Sequence, residues 1–248
     1  MQRLAGGQGT SWLSGRVVLK PGDETFQRWL GQMLAGRVFD GIQVPRPLQA
    51  RSGEWVVDGW SATEFVEGDV PDLAAPSTWT HVIAAGRRFH DALVDVPAPT
   101  FHAARTDPWA VADRVAWGED SVTFVPRLAD LADRLLAVDD PPGATQLVHL
   151  DLTGNVLFSP RHPPAVIDVS PYWRPRSYAD GVVLADAACY HGATRAHLLE
   201  ADVPVEAIAR ALLFRLTTTN VLVTKGFDGV DLDDEARRFE RAARLLGV

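Results

Sequence analysis

The segment LVHLDLTGNVLF, residues 147–158, sets His149, Asp151 and Asn155 between apolar runs. Flanks of this kind read as short buried strands, so the polar residues between them fall on a loop held from both sides by the core. Thirteen positions after Asn155, Asp168 follows the apolar run AVI, and a carboxylate at the end of a buried strand can meet that asparagine across a hairpin. Near the start, Gly6, Gly7 and Gly9 form a turn whose backbone can approach a phosphate closely and offer N–H donors. Lys20 closes the run RVVLK, where the strand period of two puts it on one face with Val18. A stem buried against that neighbour would present the ammonium either to phosphate oxygens or, as in an ordinary edge lysine, to water. A structural reading of the loop also stands: Asp151 and Asn155 are turn residues that cap backbone groups.

The chemistry that needs these residue types together is phosphoryl transfer. It demands donors on the phosphates, a cation beside them, oxygen ligands for magnesium and a carboxylate to orient the acceptor hydroxyl. Magnesium prefers hard oxygen ligands, commonly one or two from the protein with phosphate and water completing the set. In that scheme Asn155 and Asp168 take the metal, Asp151 is the base and Lys20 supplies positive charge. A rival scheme, a metal-dependent hydrolase built on His149 and Asp151, lacks further ligands at a useful spacing. His90, His102, His191 and His197 stand singly in helical or loop contexts.

The remaining composition bounds the class. A chain of 248 residues with 46% hydrophobic and 23% charged content can bury a sizeable core as one large domain or two lobes. Its formal charge of −8 argues against a general nucleic-acid binder, which needs a basic face. Cys189 is the single cysteine, so a disulfide framework or cysteine-based zinc site is not expected, which fits a reducing cytoplasm. No apolar stretch reaches the ~18 residues of a membrane span, and the sequence reads as soluble and cytoplasmic with no membrane partner. Of the 24 basic residues only Lys20 and Lys225 are lysines, which makes each conspicuous.

The elements that must position these residues fall into two groups. TSWLS and RVVLKP are strand-like runs joined at Ser14-Gly15, and two further extended runs flank Ser52-Gly53. Between them Phe26, Trp29, Leu30, Met33 and Leu34 have the spacing of an amphipathic helix that stops at Gly36. From Ser77 onward the pattern turns helical, with one stripe at Trp79, Val82, Ile83, Gly86 and Phe89 and another at Leu128, Leu131, Leu135 and Val138, Pro126 suiting its first turn. Three more helices are expected near 178–201, 205–225 and 233–247. The expectation is an α+β chain: a small β-rich N-terminal lobe over 1–67 with a short leader, a connector about EFVEGDVPD, and a larger, mainly helical C-terminal lobe over 68–248.

The order of glycine-rich loop, VVLK, HLDLTGN and VIDV resembles the aminoglycoside phosphotransferase and choline kinase branch of the protein-kinase-like fold. The likeness runs over nearly the whole chain, and LAGGQGTSW, HLDLTGNVLF and SPYWRP resemble an actinobacterial group within that branch. This resemblance implies a bilobal fold and transfer of phosphate from ATP, with Mg2+, to a hydroxyl of a small molecule. It makes Asp151 the catalytic base, Asn155 and Asp168 the magnesium ligands, and His149 a structural residue of the catalytic loop. Gly6, Gly7, Gly9 and Lys20 would contact the nucleotide phosphates, with Lys20 paired to a helix glutamate for which Glu24 is the candidate. TEFVEG, residues 63–68, resembles the hinge beside the adenine and so implicates Glu64 and Phe65.

Leu150 stands where regulated protein kinases carry arginine, so control by a phosphorylated activation loop is not expected. SPYWRPRSY would help form the acceptor site. Tyr172 and Trp173 would either stack on an acceptor ring or plug the core, and Asp180 and Asp186 would either recognise an amine or form a solvated helix face. Two departures stand out: Asn155 follows Asp151 by four residues where the wider family has five, and the glycine loop lies almost at Met1, with QRLA as its first strand. The tightened loop, together with the unsettled glutamate partner of Lys20, motivates an alternative, a nucleotide-binding protein of this fold without phosphotransfer.

Overall fold

The structure, a computed structural model, describes residues 1–4 and 10–248. Gly6, Gly7 and Gly9 therefore lie outside the described residues. The chain divides into two compact units, Met1–Val70 with Val156–Ile167 and Pro71–Asn155 with Asp168–Val248.

The first unit is built on an antiparallel sheet. Its strands are β1 (Gln2–Arg3), β2 (Trp12–Ser14), β3 (Val17–Pro21), β4 (Pro47–Leu48), β5 (Val56–Val57) and β6 (Trp60–Glu64), in the order β1-β2-β3-β6-β4 with β5 also on β6. Ser14 pairs with Val17 across a two-residue loop whose Gly15 has φ 61°, a conformation that suits glycine. QRLA does supply a first strand, Gln2–Arg3 pairing with Leu13 and Trp12. The second turn differs from the expected one. The tight hairpin lies at Asp58-Gly59, both at positive φ, and β4 and β5 occupy successive stretches of β6 rather than pairing with each other about Ser52-Gly53. An Asp-Gly pair meets the left-handed requirement of a two-residue hairpin better than Ser-Gly does.

Helix α1 (Glu24–Leu34) follows β3 and is capped by Asp23, whose Oδ1 accepts from the Phe26 N–H at 2.8 Å. It buries Leu30, Met33 and Leu34, while Trp55 packs so closely on Gly31 that a Cβ there would stand 2.3 Å from the indole ring. This unit also holds β8 (Val156–Leu157) and β9 (Ala165–Val166), which pair as Val156 with Val166 and Leu157 with Ala165.

The second unit is mainly helical. It comprises α2 (Pro76–Asp91), a 3-10 turn at His102–Ala104, α3 (Pro108–Ala116), α4 (Pro126–Leu136), β7 (Thr145–His149), β10 (Pro171–Pro175), α5 (Arg176–Tyr190), α6 (Arg195–Glu200), α7 (Val205–Thr224) and α8 (Leu232–Leu246). Proline opens α2, α3 and α4, where its missing N–H costs no helical bond. Helices α5 and α7 are buried nearly all round and form the centre of the core. Gly181 lets them meet, since a Cβ there would lie 2.4 Å from the Ala207 carbonyl oxygen.

Two expectations are corrected here. The helix anticipated over 178–201 is two helices, broken where Gly192 turns at φ 74° and Thr194 caps α6 by accepting from the His197 N–H. The segment PYWRP, given no strand in the sequence reading, is one: β10 pairs along its whole length with β7, Pro171 opposite His149 and Pro175 opposite Thr145. Its prolines stand at the two ends of the strand, where a missing donor is tolerated.

Candidate active site

The loop after β7 alternates with the core. Leu150 and Leu152 are 2% and 0% exposed, so Asp151 between them projects outward, its side chain 52% exposed. Leu152 seats against Gly86 of α2, where a Cβ would stand 2.4 Å from Leu152 Cδ1. The glycine in the helical stripe is therefore a socket for the loop.

His149 fastens this loop to the next segment. Its Nδ1 accepts from the Asp151 N–H at 3.2 Å and the Ser170 N–H at 3.3 Å, and the Leu150 N–H donates to the Ser170 carbonyl at 3.1 Å. The chain carrying Asp168 is thereby tied to the chain carrying Asp151. The His149 N–H donates in turn to His90 Nε2 at 3.0 Å, and the Phe89 ring meets both imidazoles edge-on. These bonds fit the structural role expected of His149.

Burial of His90, reinforced by the nearby His149 and Arg176, lowers its pKa from 6.5 to about 3. The folded chain thus keeps His90 neutral, while the unfolded chain takes up a proton below pH 6.5. Its stabilising share is complete above that pH and is lost as the pH falls toward 3. At pH 5 the loss is ~2 kcal/mol. Melting curves of wild type and His90→Gln between pH 7 and pH 5 check this: the wild type should lose more stability, and parallel losses would contradict it.

Asn155 closes the loop. Its backbone N–H donates to the Leu152 carbonyl at 3.0 Å through a turn with Gly154 at φ 81°, which accommodates the four-residue spacing. Its Nδ2 donates to the Asp151 carbonyl at 2.7 Å and to Asp151 Oδ2 at 3.0 Å. With the amide nitrogen committed to Asp151, the side-chain carbonyl oxygen is the end left for a cation. Asp168 lies two residues beyond the Val156–Val166 pair, at φ 50°. That conformation is uncommon outside glycine, costs about 1–3 kcal/mol, and clusters at functional sites. An asparagine oxygen and a carboxylate on neighbouring segments fit a hard cation that takes its other ligands from phosphate and water.

In the first unit, Lys20 pairs with Ser61 across β3 and β6, and Ser61 Oγ donates to the Lys20 carbonyl. Glu24 opens α1 and forms an exposed 2.6 Å ion pair with Arg28 one turn on. The Glu64 N–H donates to the Arg46 carbonyl and the Phe65 N–H to the Arg16 carbonyl, each at 2.9 Å.

Tyr172 is 1% exposed, packed against His102 and Phe214 with Arg105 over its ring, so it plugs the core. Asp180 is buried as well; burial, opposed by the Arg87 ion pair at 2.7 Å, pushes its pKa up to about 6. It ties α5 to α2 and is no solvated face. Asp186 instead helps line an open cleft of about 470 Å3 in the second unit, together with Trp109, Thr153, Tyr190, Arg215 and Thr218. The Thr153 hydroxyl, in the loop that carries Asp151, is buried without a hydrogen-bond partner among the described residues. Arg215 is the main residue that sequence reasoning missed. A guanidinium inside the otherwise apolar and small-polar run ALLFRLTTTN is the signal for a buried partner.

The matches to known proteins agree with this architecture. The model of the "Phosphotransferase enzyme family" matches residues 22–169. An aminoglycoside phosphotransferase from Alicyclobacillus acidocaldarius superposes with a TM-score of 0.62 at 17% identity, over 100% of this chain and 89% of its own. A choline/ethanolamine kinase family protein from Mesorhizobium loti gives 0.59 at 17% identity, over 100% and 88%. Aminoglycoside phosphotransferase APH(4)-Ia, solved with AMP-PNP and hygromycin B, gives 0.55 at 16% identity, over 99% and 92%. No curated protein sequence matches the chain. At these identities the structural likeness is one of fold, and that fold is the expected protein-kinase-like one, a small sheet-based N-terminal part followed by a larger helical part. Through the match over residues 22–169, well over half its length, the chain belongs to the phosphotransferase enzyme family.

Proposed function

We propose that the protein is an ATP- and Mg2+-dependent kinase that phosphorylates a hydroxyl group of a small molecule. The observation that carries this reading is the Asp151–Asn155 pair: the amide nitrogen of Asn155 holds the Asp151 carboxylate at 3.0 Å, which leaves the asparagine oxygen for a cation. Asp151 then accepts the proton of the acceptor hydroxyl as that oxygen bonds to the γ-phosphorus and the bond to the bridging oxygen breaks, releasing ADP. Asn155 and Asp168 would hold magnesium, which when bound neutralises charge on the β- and γ-phosphates. Lys20 and the glycines Gly6, Gly7 and Gly9 hold the phosphates, Glu24 is the proposed partner of Lys20, and Glu64 and Phe65 border the adenine. His149 keeps the base and the metal-ligand segment in register.

The cleft beside Thr153 and Trp109 supports a small polar acceptor. One similar structure holds hygromycin B and another belongs to the choline/ethanolamine kinase family; these compounds are alcohols that carry an amino or a quaternary ammonium group. Among the described residues no helix is long and apolar enough to cross a membrane, and the single buried Cys189 suits the reducing cytoplasm proposed as the enzyme's place of action. The purified protein should transfer label from γ-labelled ATP, with Mg2+, to at least one member of a panel of aminoglycosides, amino alcohols, sugars and nucleosides, well above the rate with water alone. Tight Mg-ATP binding with no labelled product from the panel would favour the alternative, a nucleotide-binding protein without transfer.

A further inference from the structure

The cleft in the second unit places a cation beside the proposed base. Arg215 Nη2 lies 3.8 Å from Asp151 Oδ1. We propose that Arg215 is a positioning residue that fixes the Asp151 carboxylate for proton abstraction, with Asp186 as its anchor; this rests on the reading of Asp151 as the base.

Asp151 is half exposed on a loop, and the Asn155 amide that holds its Oδ2 belongs to the same loop. A hold within the loop does not fix the carboxylate against the rest of the protein. Arg215 does so at the other oxygen, from a rigid element. Its Nε donates to Asp186 Oδ1 at 2.8 Å and its Nη2 to Asp186 Oδ2 at 2.7 Å, a two-pronged pairing that fixes the guanidinium plane. Both side chains are deeply buried, 15% and 7% exposed, on α7 and α5. The guanidinium also lies 5.3 Å from the Phe214 ring centroid. Those two helices are in backbone contact at Gly181, so neither end of the pair is free to drift.

At 3.8 Å the Arg215–Asp151 contact is an ion pair and too long for a hydrogen bond. Oδ1 therefore keeps its capacity to receive the acceptor proton while the cation restricts where the carboxylate points. A tie between α5 and α7 alone needs only the Asp186 pair; the reach to Asp151 and the shared cleft with Thr153 are what a tie does not require.

The test uses Mg-ATP with water as the acceptor, the slow hydrolysis that needs no identified substrate, and reads ADP release per nucleotide-binding site in the full chain. Arg215→Met should lower kcat ~10²-fold with the KM for ATP within about twofold of wild type, because a misplaced catalytic group costs rate and not nucleotide affinity. Arg215→Lys, which keeps the charge without the fork, should recover about tenfold of that loss, and Asp186→Asn should fall between. Wild-type kcat per site in Arg215→Met would overturn the role of Arg215 and leave Asp151 as the base. Equal losses in the Met and Lys variants, tracking lost binding sites and a lower Tm, would overturn it in favour of a structural tie. Wild-type hydrolysis by Asp151→Asn, or none by the wild type, would remove the kinase reading and this inference with it.

Discussion

Asp151→Asn should fold, melt close to wild type, bind Mg-ATP with unchanged affinity and transfer phosphate about 10³-fold more slowly. A positioned general base contributes about 10²–10⁴ in rate, and the substitution removes the proton-accepting charge while keeping the shape. The fold should survive because the Asp151 side chain is half exposed, whereas the bond that fastens the loop runs from its backbone N–H to His149 Nδ1. The Asn155 amide would still find a side-chain oxygen at residue 151 and, beside it, the same backbone carbonyl. Single-turnover transfer and nucleotide titration on one preparation check the claim. Loss of nucleotide binding along with turnover would mean that Asp151 does not act on the acceptor.

Asp168→Asn should weaken nucleotide binding in magnesium at least ~10²-fold, the scale seen when metal sites lose supporting groups, and leave binding in EDTA unchanged. Asparagine is the informative replacement. Residue 168 has φ 50°, and asparagine tolerates the left-handed region better than alanine, so the backbone is kept while the charge is lost. Transfer should fall in parallel with the metal effect. Equal weakening with and without magnesium would place the role of Asp168 in the fold, through the segment that His149 ties to the loop.

Much of the site was legible in the sequence because its logic is local. Apolar runs on both sides of HLDLTGN signalled a loop held by the core, and Leu150 and Leu152 are indeed buried around an outward Asp151. The helices with clear stripes and terminal prolines or glycines, α1, α2 and α4, lie where periodicity put them, although Val138, the last member of the expected α4 stripe, falls just past the helix end at Leu136. Local pattern failed where one element's fate depends on another. Nothing in PYWRP marks a strand until β7 lies beside it, and the apolar content of 178–201 runs on past the turn that Gly192 imposes. Asp180 and Asp186 look alike in sequence. Only the packing of α2 and α7 onto α5 decides that one is a buried structural pair and the other faces the cleft through Arg215. A side chain whose meaning rests on three segments, as for Arg215 between Asp186 and Asp151, carries no sequence signature beyond being a cation in a buried helix.

The most direct test of the central claim is the thermal melting of the protein with and without Mg-ATP, beside Asp168→Asn. Ligand at about a hundredfold over its Kd should stabilise the folded state by about 2.7 kcal/mol. For a chain of this size that is about 5 to 10 °C in Tm. The account predicts that shift in the wild type with magnesium, a smaller one in EDTA, and none beyond the EDTA level in Asp168→Asn. An unmoved Tm up to millimolar Mg-ATP and Mg-GTP would contradict a nucleotide-dependent phosphotransferase built on Asp151, Asn155 and Asp168.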